Sequence, residues 1–353
     1  MGSVIQSVGT STGERFLTNH DLERILRASG QDTNDEWIVQ RTGIRNRMVA
    51  PNQSIGELAV KADQDAIENL WQNIHPIQHV IVATNTSRHA FPNIAGYVQD
   101  QLSSSHPELI EDGASGVDLG AGCGGINFAL MYADRLIQGR QFNTVLVMGA
   151  EKLSNVTDYA DRSTAILFGD GASAYILGAG ARDVGFMGHH SKGSGKDRDL
   201  IKCLDKPKVD LESALDILDN GAESRKVIGP VLEMDGKRVF TYVINQWEEL
   251  LTKLTDWRFN SNGVSYDEIS YIAPHLANLR CLENIDQNYP GFLQKCGLVL
   301  DVDLANFHNT STASQGRRVK QFVEGAEPGS YLLSFGYGAG LQSCANLYRK
   351  PFA

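Results

Sequence analysis

Short, mostly apolar runs at residues 79–85, 144–149, 174–178, 269–273 and 331–335 alternate with segments of helical periodicity. This alternation restricts the chain to layered α/β folds. A strand buried on both faces has no polar side, so it reads as a continuous apolar run and calls for helices above and below it. The spacing predicts helices over 54–72, 126–138, 239–254 and 314–324. At 353 residues the chain has room for two domains or one duplicated unit. Two turns hint at duplication. Gly169-Asp170-Gly171-Ala172 and Gly336-Tyr337-Gly338-Ala339 each follow a Phe and adjoin a strand. A strand–turn–helix pattern around Cys123 is echoed by residues 304–309 leading into the helix at 314. Equivalent halves would bring both turns to one pseudo-symmetric centre, with a division near 1–180 and 181–353.

Composition narrows the class. The net charge of −10 disfavours general nucleic-acid binding. No apolar run is long enough to cross a bilayer. The first residues, Met1-Gly2-Ser3-Val4-Ile5-Gln6, lack the charged and apolar parts of a signal peptide. Five scattered cysteines argue against a disulfide framework, so a reducing cytoplasm is expected. Residues 188–238, rich in Lys, Asp and Gly, show no regular core pattern. They read as a lid-like insertion or a plain surface one.

Cys123 carries the strongest chemical signal. It lies in Gly120-Ala121-Gly122-Cys123-Gly124-Gly125, ahead of a helix face formed by Ile126, Ala129, Leu130, Ala133, Leu136 and Ile137. A cysteine at a helix N-terminus gains thiolate character from the free N–H groups and the dipole. Glycines around it admit a substrate close to the backbone. A lone cysteine is more often a buried structural residue, but two further segments change the balance. Tyr271-Ile272-Ala273-Pro274-His275 runs a strand into a histidine, and Asn306-Phe307-His308-Asn309-Thr310-Ser311 is a polar turn before a helix. Cys123, His275 and Asn309 each fall where a strand ends.

The order of these segments resembles the β-ketoacyl-[acyl-carrier-protein] synthase III family of the thiolase-like superfamily. Further segments carry the resemblance: 34–45 (with Trp37 and Arg41), 84–92 (ending Phe91-Pro92), 167–172, 277–280 and 309–311, all in the family's order. The resemblance implies a five-layered αβαβα fold of two pseudo-symmetric halves, acting as a homodimer. It implies that Cys123 takes an acyl group from an acyl-CoA or acyl-carrier thioester. The acyl-Cys then condenses with a malonyl-type thioester, delivered on an acyl carrier protein, with loss of carbon dioxide. His275 Nε2 and Asn309 Nδ2 would donate to the enolate oxygen, a task for which ionised Asp would be unfit. Backbone N–H groups of Cys123 and Tyr337 would hold the oxyanion. Trp37, Arg41, Arg162 and Asn278 would bind CoA, with Trp37 stacking on adenine. Phe91 would reach the partner's acyl pocket, and Arg280 would receive the carrier protein. No metal or redox cofactor is called for, and CoA and phosphopantetheine thioesters enter as substrates.

The chain departs from the family pattern at several positions. Glycines flank Cys123 where the family more often has Ala and Ser. His308 replaces a Gly, which puts a second imidazole near the site as a space-filler or as an extra acid/base. Tyr337 replaces a Gly in the oxyanion turn, where a left-handed backbone would be costly for Tyr. Leu276 replaces a Gln. These changes imply a specialised member, as in secondary metabolism, with an unusual primer or extender. An alternative keeps the acyl-Cys but passes the group to oxygen, nitrogen or a β-ketoacyl acceptor without decarboxylation, with His308 as base. A catalytically silent subunit would be expected to have lost Cys123, His275 or Asn309. Thiolase and hydroxymethylglutaryl-CoA synthase readings each need one more acid/base residue.

Overall fold

Val145 and Val147 leave their strand on one side and Leu146, Met148 and Ala150 on the other, and both sets are buried. Leu332 and Leu333 divide in the same way between two cores. Period-2 geometry thus turns each apolar run into a two-sided strand that needs cover on both faces. The computed structural model, which describes residues 2–70, 73–89, 91–181, 183–255, 263–298 and 308–352, supplies that cover as five layers.

The described strands in chain order are β1 (Ser3–Thr12), β2 (Arg15–Thr18), β3 (Asn46–Val49), β4 (Ile77–Ala83), β5 (Ile110–Leu119), β6 (Thr144–Lys152), β7 (Asp170–Ala179), β8 (Gly185–Gly193), β9 (Ile201–Lys208), β10 (Val227–Met234), β11 (Ile269–Pro274), β12 (Tyr331–Gly338) and β13 (Gln342–Arg349). The first sheet runs β1-β7-β6-β4-β5 and the second β8-β13-β12-β11. Both begin with two antiparallel pairings and continue parallel, so the second sheet repeats the first with β8, β13, β12 and β11 in place of β1, β7, β6 and β4. Helices Ile55–Glu68 and Ile94–Ser105 cover the outer face of the first sheet. Helix Gly236–Thr255, with Leu279–Asn288 beside it, covers that of the second. Between the sheets lie helices Gly125–Gln138 and Gly316–Gly325, whose Ile126, Ala129, Leu130, Val319 and Phe322 share one core with both sheets.

Local signals set most boundaries. A capping box between Ser54 and Glu57 starts the helix expected at 54. It ends at Glu68, short of the expected 72, and positions 71–72 lie outside the described residues. The helix expected at 314 begins at Gly316 because Ser311–Ala313 forms a 3-10 turn first. The expected approach to Asn309 over residues 304–307 lies outside the described residues.

The stretch 188–238 is not irregular, and that expectation is corrected. It contains the rest of β8, the antiparallel β9–β10 pair and helix Leu211–Asn220. Its periodicity is faint because most side chains of β9 are exposed or half-buried, so little of it is forced to be apolar.

Asp134, on the central helix, fastens the layers. Its fully buried carboxylate accepts from Ser3 N (2.8 Å) and Ser3 Oγ (2.9 Å) of β1 and from Gln138 Nε2 (2.6 Å). It also meets His189 Nε2 (2.9 Å) of β8, whose Nδ1 lies 2.8 Å from Asn346 Oδ1 of β13. Burial alone would raise its proton affinity, but His189 and the other donors outweigh that and hold Asp134 below the ordinary 3.8. Asp134→Ala is expected to lower unfolding free energy by about 3 kcal/mol in urea titrations at pH 7. A depressed carboxyl contributes fully above its unfolded pKa and loses its contribution as pH falls through the folded one. The deficit should therefore shrink in acid below 3.8; a deficit that does not change with pH would refute this account.

Candidate active site

Cys123 occupies the turn between β5 and the central helix Gly125–Gln138. Gly122 has φ +63°, and a side chain there would overlap the backbone of Ala339. A Cβ on Gly338 would overlap the Cys123 nitrogen. The 336–339 turn of the second half therefore lies directly on the nucleophile turn of the first, with no side chain between. The reverse contact also forms. Asn309 N donates to Leu167 O and Gly169 N to Asn309 O, both at 3.1 Å. Each central-layer helix thus begins against the glycine turn of the opposite half, the pseudo-symmetric meeting implied by the two Phe-Gly turns.

Cys123, His275, Asn278, Asn309 and Tyr337 line one cavity of about 260 Å³. Its remaining wall is mainly apolar: Leu153, Val156, Leu167 and Phe168 from the first half, and Val239, Phe240 and Val243 from helix Gly236–Thr255. Ile201, Lys202 and Cys203 of β9 and Leu232 and Met234 of β10 complete it, so the inserted hairpin is part of the pocket wall.

His275 follows β11, and its N–H donates to Phe335 O (2.8 Å). Its Nδ1 lies 2.7 Å from Ser314 Oγ, and its ring meets that of Tyr337 edge-on at 5.2 Å. Burial pushes the imidazole down to about 3, so the ring is neutral at working pH. Asn309 Oδ1 accepts from Ser311 N (2.9 Å), which fixes which end of the amide is left over. The helix N-terminus adjoins Cys123 as the sequence predicts, but burial dominates and pushes the thiol up to about 11. The Ser311 hydroxyl opposes this rise and the Glu151 carboxylate adds to it.

Other expected residues fall differently. Trp37 and Arg41 share a face of helix Asp35–Thr42, and the guanidinium carbons of Arg41 and Arg162 lie 3.9 and 4.4 Å from the Trp37 ring centre. This cluster is not among the residues that line the cavity. Asn278 caps helix Leu279–Asn288 by accepting from Cys281 N (3.2 Å) while also lining the cavity. Arg280 is exposed, and Phe91 is 85% exposed. Tyr337 lies within β12 without a left-handed backbone, so the expected strain is absent. His308, expected as a space-filler or an extra acid/base, is not among the residues that line the cavity. Its ring packs on Gly169, where any Cβ would overlap it, and burial with the nearby Arg47 charge pushes it down to about 4.

Sequence reasoning missed Glu151, Asn85, Ser311 and Ser314 as site residues. Glu151, the penultimate residue of β6 and the last of its buried run, is a fully buried carboxylate behind the Cys123 turn. A charged residue continuing an apolar strand was the available signal.

The fold and the cavity define a thiolase-like condensing enzyme, and comparison with known proteins names its kind. Residues 117–195 match the family model for 3-oxoacyl-[acyl-carrier-protein (ACP)] synthase III. The β-ketoacyl-[acyl-carrier-protein] synthase III of Rubrobacter xylanophilus is 33% identical over 97% of this chain and 96% of its own length. The solved structure of the same enzyme from Thermus thermophilus superposes with a TM-score of 0.80 at 30% identity, covering 99% of this chain and 100% of the other. The priming β-ketosynthase of the R1128 polyketide pathway superposes with a TM-score of 0.78 at 26% identity, covering 99% and 96%. The chain belongs to the β-ketoacyl-[acyl-carrier-protein] synthase III family of acyltransferases.

Because the thiol is held well above neutrality, iodoacetamide alkylation of Cys123 should be slow at pH 7 and climb continuously to pH 10. A plateau below pH 8, read by intact mass, would show a preformed thiolate instead.

Proposed function

We propose that this chain primes chain synthesis. Cys123 takes an acyl group from an acyl-CoA, and the acyl-enzyme condenses decarboxylatively with a malonyl thioester on acyl carrier protein to give a β-ketoacyl product. One observation carries the reading. One end of each helper side chain is engaged: His275 Nδ1 lies 2.7 Å from the Ser314 hydroxyl, and Asn309 Oδ1 accepts from the Ser311 N–H. With Ser314 donating to Nδ1, the ring proton sits on Nε2. The cavity around Cys123 then receives two neutral donors, His275 Nε2–H and Asn309 Nδ2–H.

Two such donors suit an enolate oxygen. Neither attracts the malonyl carboxylate strongly, and an apolar cavity solvates it poorly, so loss of carbon dioxide is favoured. The carbanion attacks the acyl-Cys carbonyl, whose oxygen would be held by the N–H groups of Cys123 and Tyr337. Cys123 then leaves as thiolate. No metal or redox group is required by these steps.

Trp37 between Arg41 and Arg162 fits an adenine and its phosphates, with Arg162 yielding its place over the indole. Arg280 is read as part of the carrier-protein docking face. Phe91, fully presented, and the open edge of β5, where Val117 is 44% exposed, support a homodimer built across that edge. The cytoplasm is the matching compartment; among the described residues no helix is long and apolar enough to cross a membrane. The non-decarboxylating alternative draws on His308 as base; its packing on Gly169, outside the lining residues, supports the decarboxylating reading over it.

Intact-mass measurement after a panel of acyl-CoAs, chased with malonyl-carrier protein, tests the reading. An adduct on Cys123 should form and clear with carbon dioxide release; an adduct that clears only with an alcohol or amine would overturn it. Cys123→Ala should form no adduct. His275→Ala and Asn309→Ala should keep the adduct and lose condensation by about 10²–10³-fold each. Trp37→Ala should raise KM for acyl-CoA about tenfold with kcat little changed, since one base stack is worth about 1–3 kcal/mol.

A further inference from the structure

Glu151 is a fully buried carboxylate, and no salt bridge to it forms among the described residues. It survives burial on hydrogen bonds instead. Asn85 N (3.1 Å) and Asn85 Nδ2 (2.8 Å) donate to it, as do Thr86 Oγ1 (2.6 Å) and Ser311 Oγ (2.9 Å). Thr312 Oγ1, 3.1 Å away, divides its proton between Glu151 and Ala83 O. Two of these donors lead to the catalytic turns. Asn85 Oδ1 accepts from Gly122 N (3.0 Å), one residue before the nucleophile. Ser311 holds Asn309 through its N–H, and Ser311 lines the same cavity as Cys123, where its hydroxyl draws the thiol's proton affinity down against the rise that burial causes. Because the Ser311 hydroxyl proton is directed to Glu151 and only Asn85 Nδ2, at 3.5 Å, reaches its oxygen, a lone pair is left to receive a proton from Cys123.

We propose that Glu151 takes up the Cys123 thiol proton through the Ser311 hydroxyl while the acyl group is transferred, and returns it when the product leaves. The inference rests on the acyl-transfer reading above and adds the base that reading lacks. In the first half-reaction the Sγ–H bond breaks as Sγ bonds the acyl carbon. Ser311 accepts that proton and passes its own to Glu151, while the carbon–sulfur bond to CoA breaks and CoA thiolate takes a proton from water. In the second half-reaction the new carbon–carbon bond forms, the Sγ–C bond breaks, and the Cys123 thiolate recovers its proton from Glu151 by the reverse path. One proton is consumed overall, as decarboxylative condensation requires.

Neither imidazole serves as well. His275 Nδ1 is already engaged by Ser314, and burial weakens the ring as a base. His308 lies outside the cavity lining. Burial has the opposite effect on Glu151, favouring its neutral, proton-holding form. Glu151 acts through Ser311 and touches no reacting atom, so it is a positioning residue that also stores a proton.

The test compares two rates in the full-length protein, wild type against Glu151→Gln and Ser311→Gly. One is Cys123 alkylation by iodoacetamide from pH 7 to 10. The other is single-turnover acylation by acetyl-CoA or hexanoyl-CoA, whichever labels wild type faster. Glycine at 311 deletes the hydroxyl, keeps the N–H that holds Asn309, and suits the positive φ of 50° at that position. In Glu151→Gln the negative charge behind the thiol is gone, so alkylation at pH 8 should rise about threefold, the effect of about half a pKa unit. Acylation should fall about a hundredfold because the proton has no acceptor. In Ser311→Gly acylation should fall similarly, with no acceleration of alkylation. A parallel fall of both rates in Glu151→Gln would mean a purely structural role, and unchanged acylation in either variant would also overturn the proposal. Should Glu151→Gln fail to fold by circular dichroism, Ser311→Gly decides alone. If wild type takes up no acyl group from any thioester, the acyl-transfer reading itself fails, and an alkylation rate unmoved by Glu151→Gln would then reject the link between Glu151 and Cys123 as well.

Discussion

Two helices buried between two sheets impose the constraint on which the site depends. Gly125–Gln138 and Gly316–Gly325 form the middle layer, with Ile126, Ala129, Val319 and Phe322 in a core that both sheets share. A helix covered on both sides leaves only its ends open to a pocket. Its N-terminal N–H groups are unsatisfied by the helix itself. The duplicated topology brings both N-termini to the same place, and each is met by the glycine turn of the opposite half. Cys123 is there because the middle layer ends there.

This location has an electrostatic consequence. The cavity wall is mostly apolar, and three buried groups around it are driven toward their neutral forms: the Cys123 thiol up, the Glu151 carboxyl up, the His275 imidazole down. Such a site does not hold a standing thiolate–imidazolium pair. It holds neutral side chains whose orientations are set by the Ser311 N–H and the Ser314 hydroxyl, both supplied by the turn that starts the second central helix. Fixed neutral dipoles stabilise charge that appears only during reaction and need no reorganisation when it does.

The departures from the family pattern become intelligible in packing terms. Tyr337 is accommodated as an ordinary strand residue whose ring stacks edge-on with His275, so a larger side chain at this position narrows the cavity beside the helper histidine. His308 fills space over Gly169. The β9–β10 hairpin contributes Ile201, Cys203, Leu232 and Met234 to the pocket wall, so part of that wall comes from the segment with the weakest sequence pattern.

Much of the fold was legible because burial on both faces leaves a direct trace. The runs at 144–149 and 331–335 had to be apolar, and they became β6 and β12. β1 escaped notice because its interior places are taken by small polar residues whose hydroxyls find carbonyls on a neighbouring helix, Ser7 Oγ to Ala66 O (2.5 Å) and Ser11 Oγ to Leu58 O (2.6 Å). β5 escaped because an edge strand with exposed Glu111 and Asp112 carries little apolar pattern. For the site, the sequence by itself determined the chemical types at strand ends, a thiol, an imidazole and an amide, since local turn and helix signals suffice to place them there. Only the tertiary structure decided which end of each side chain is engaged, because the Ser311 N–H meets Asn309 Oδ1 and the Ser314 hydroxyl meets His275 Nδ1 only once the turn before the second central helix is folded against the end of β11. It alone brought Glu151 behind the Cys123 turn, because the link runs through Asn85 just past the end of β4, which sheet order places between β5 and β6, and that order leaves no mark on the residues in between.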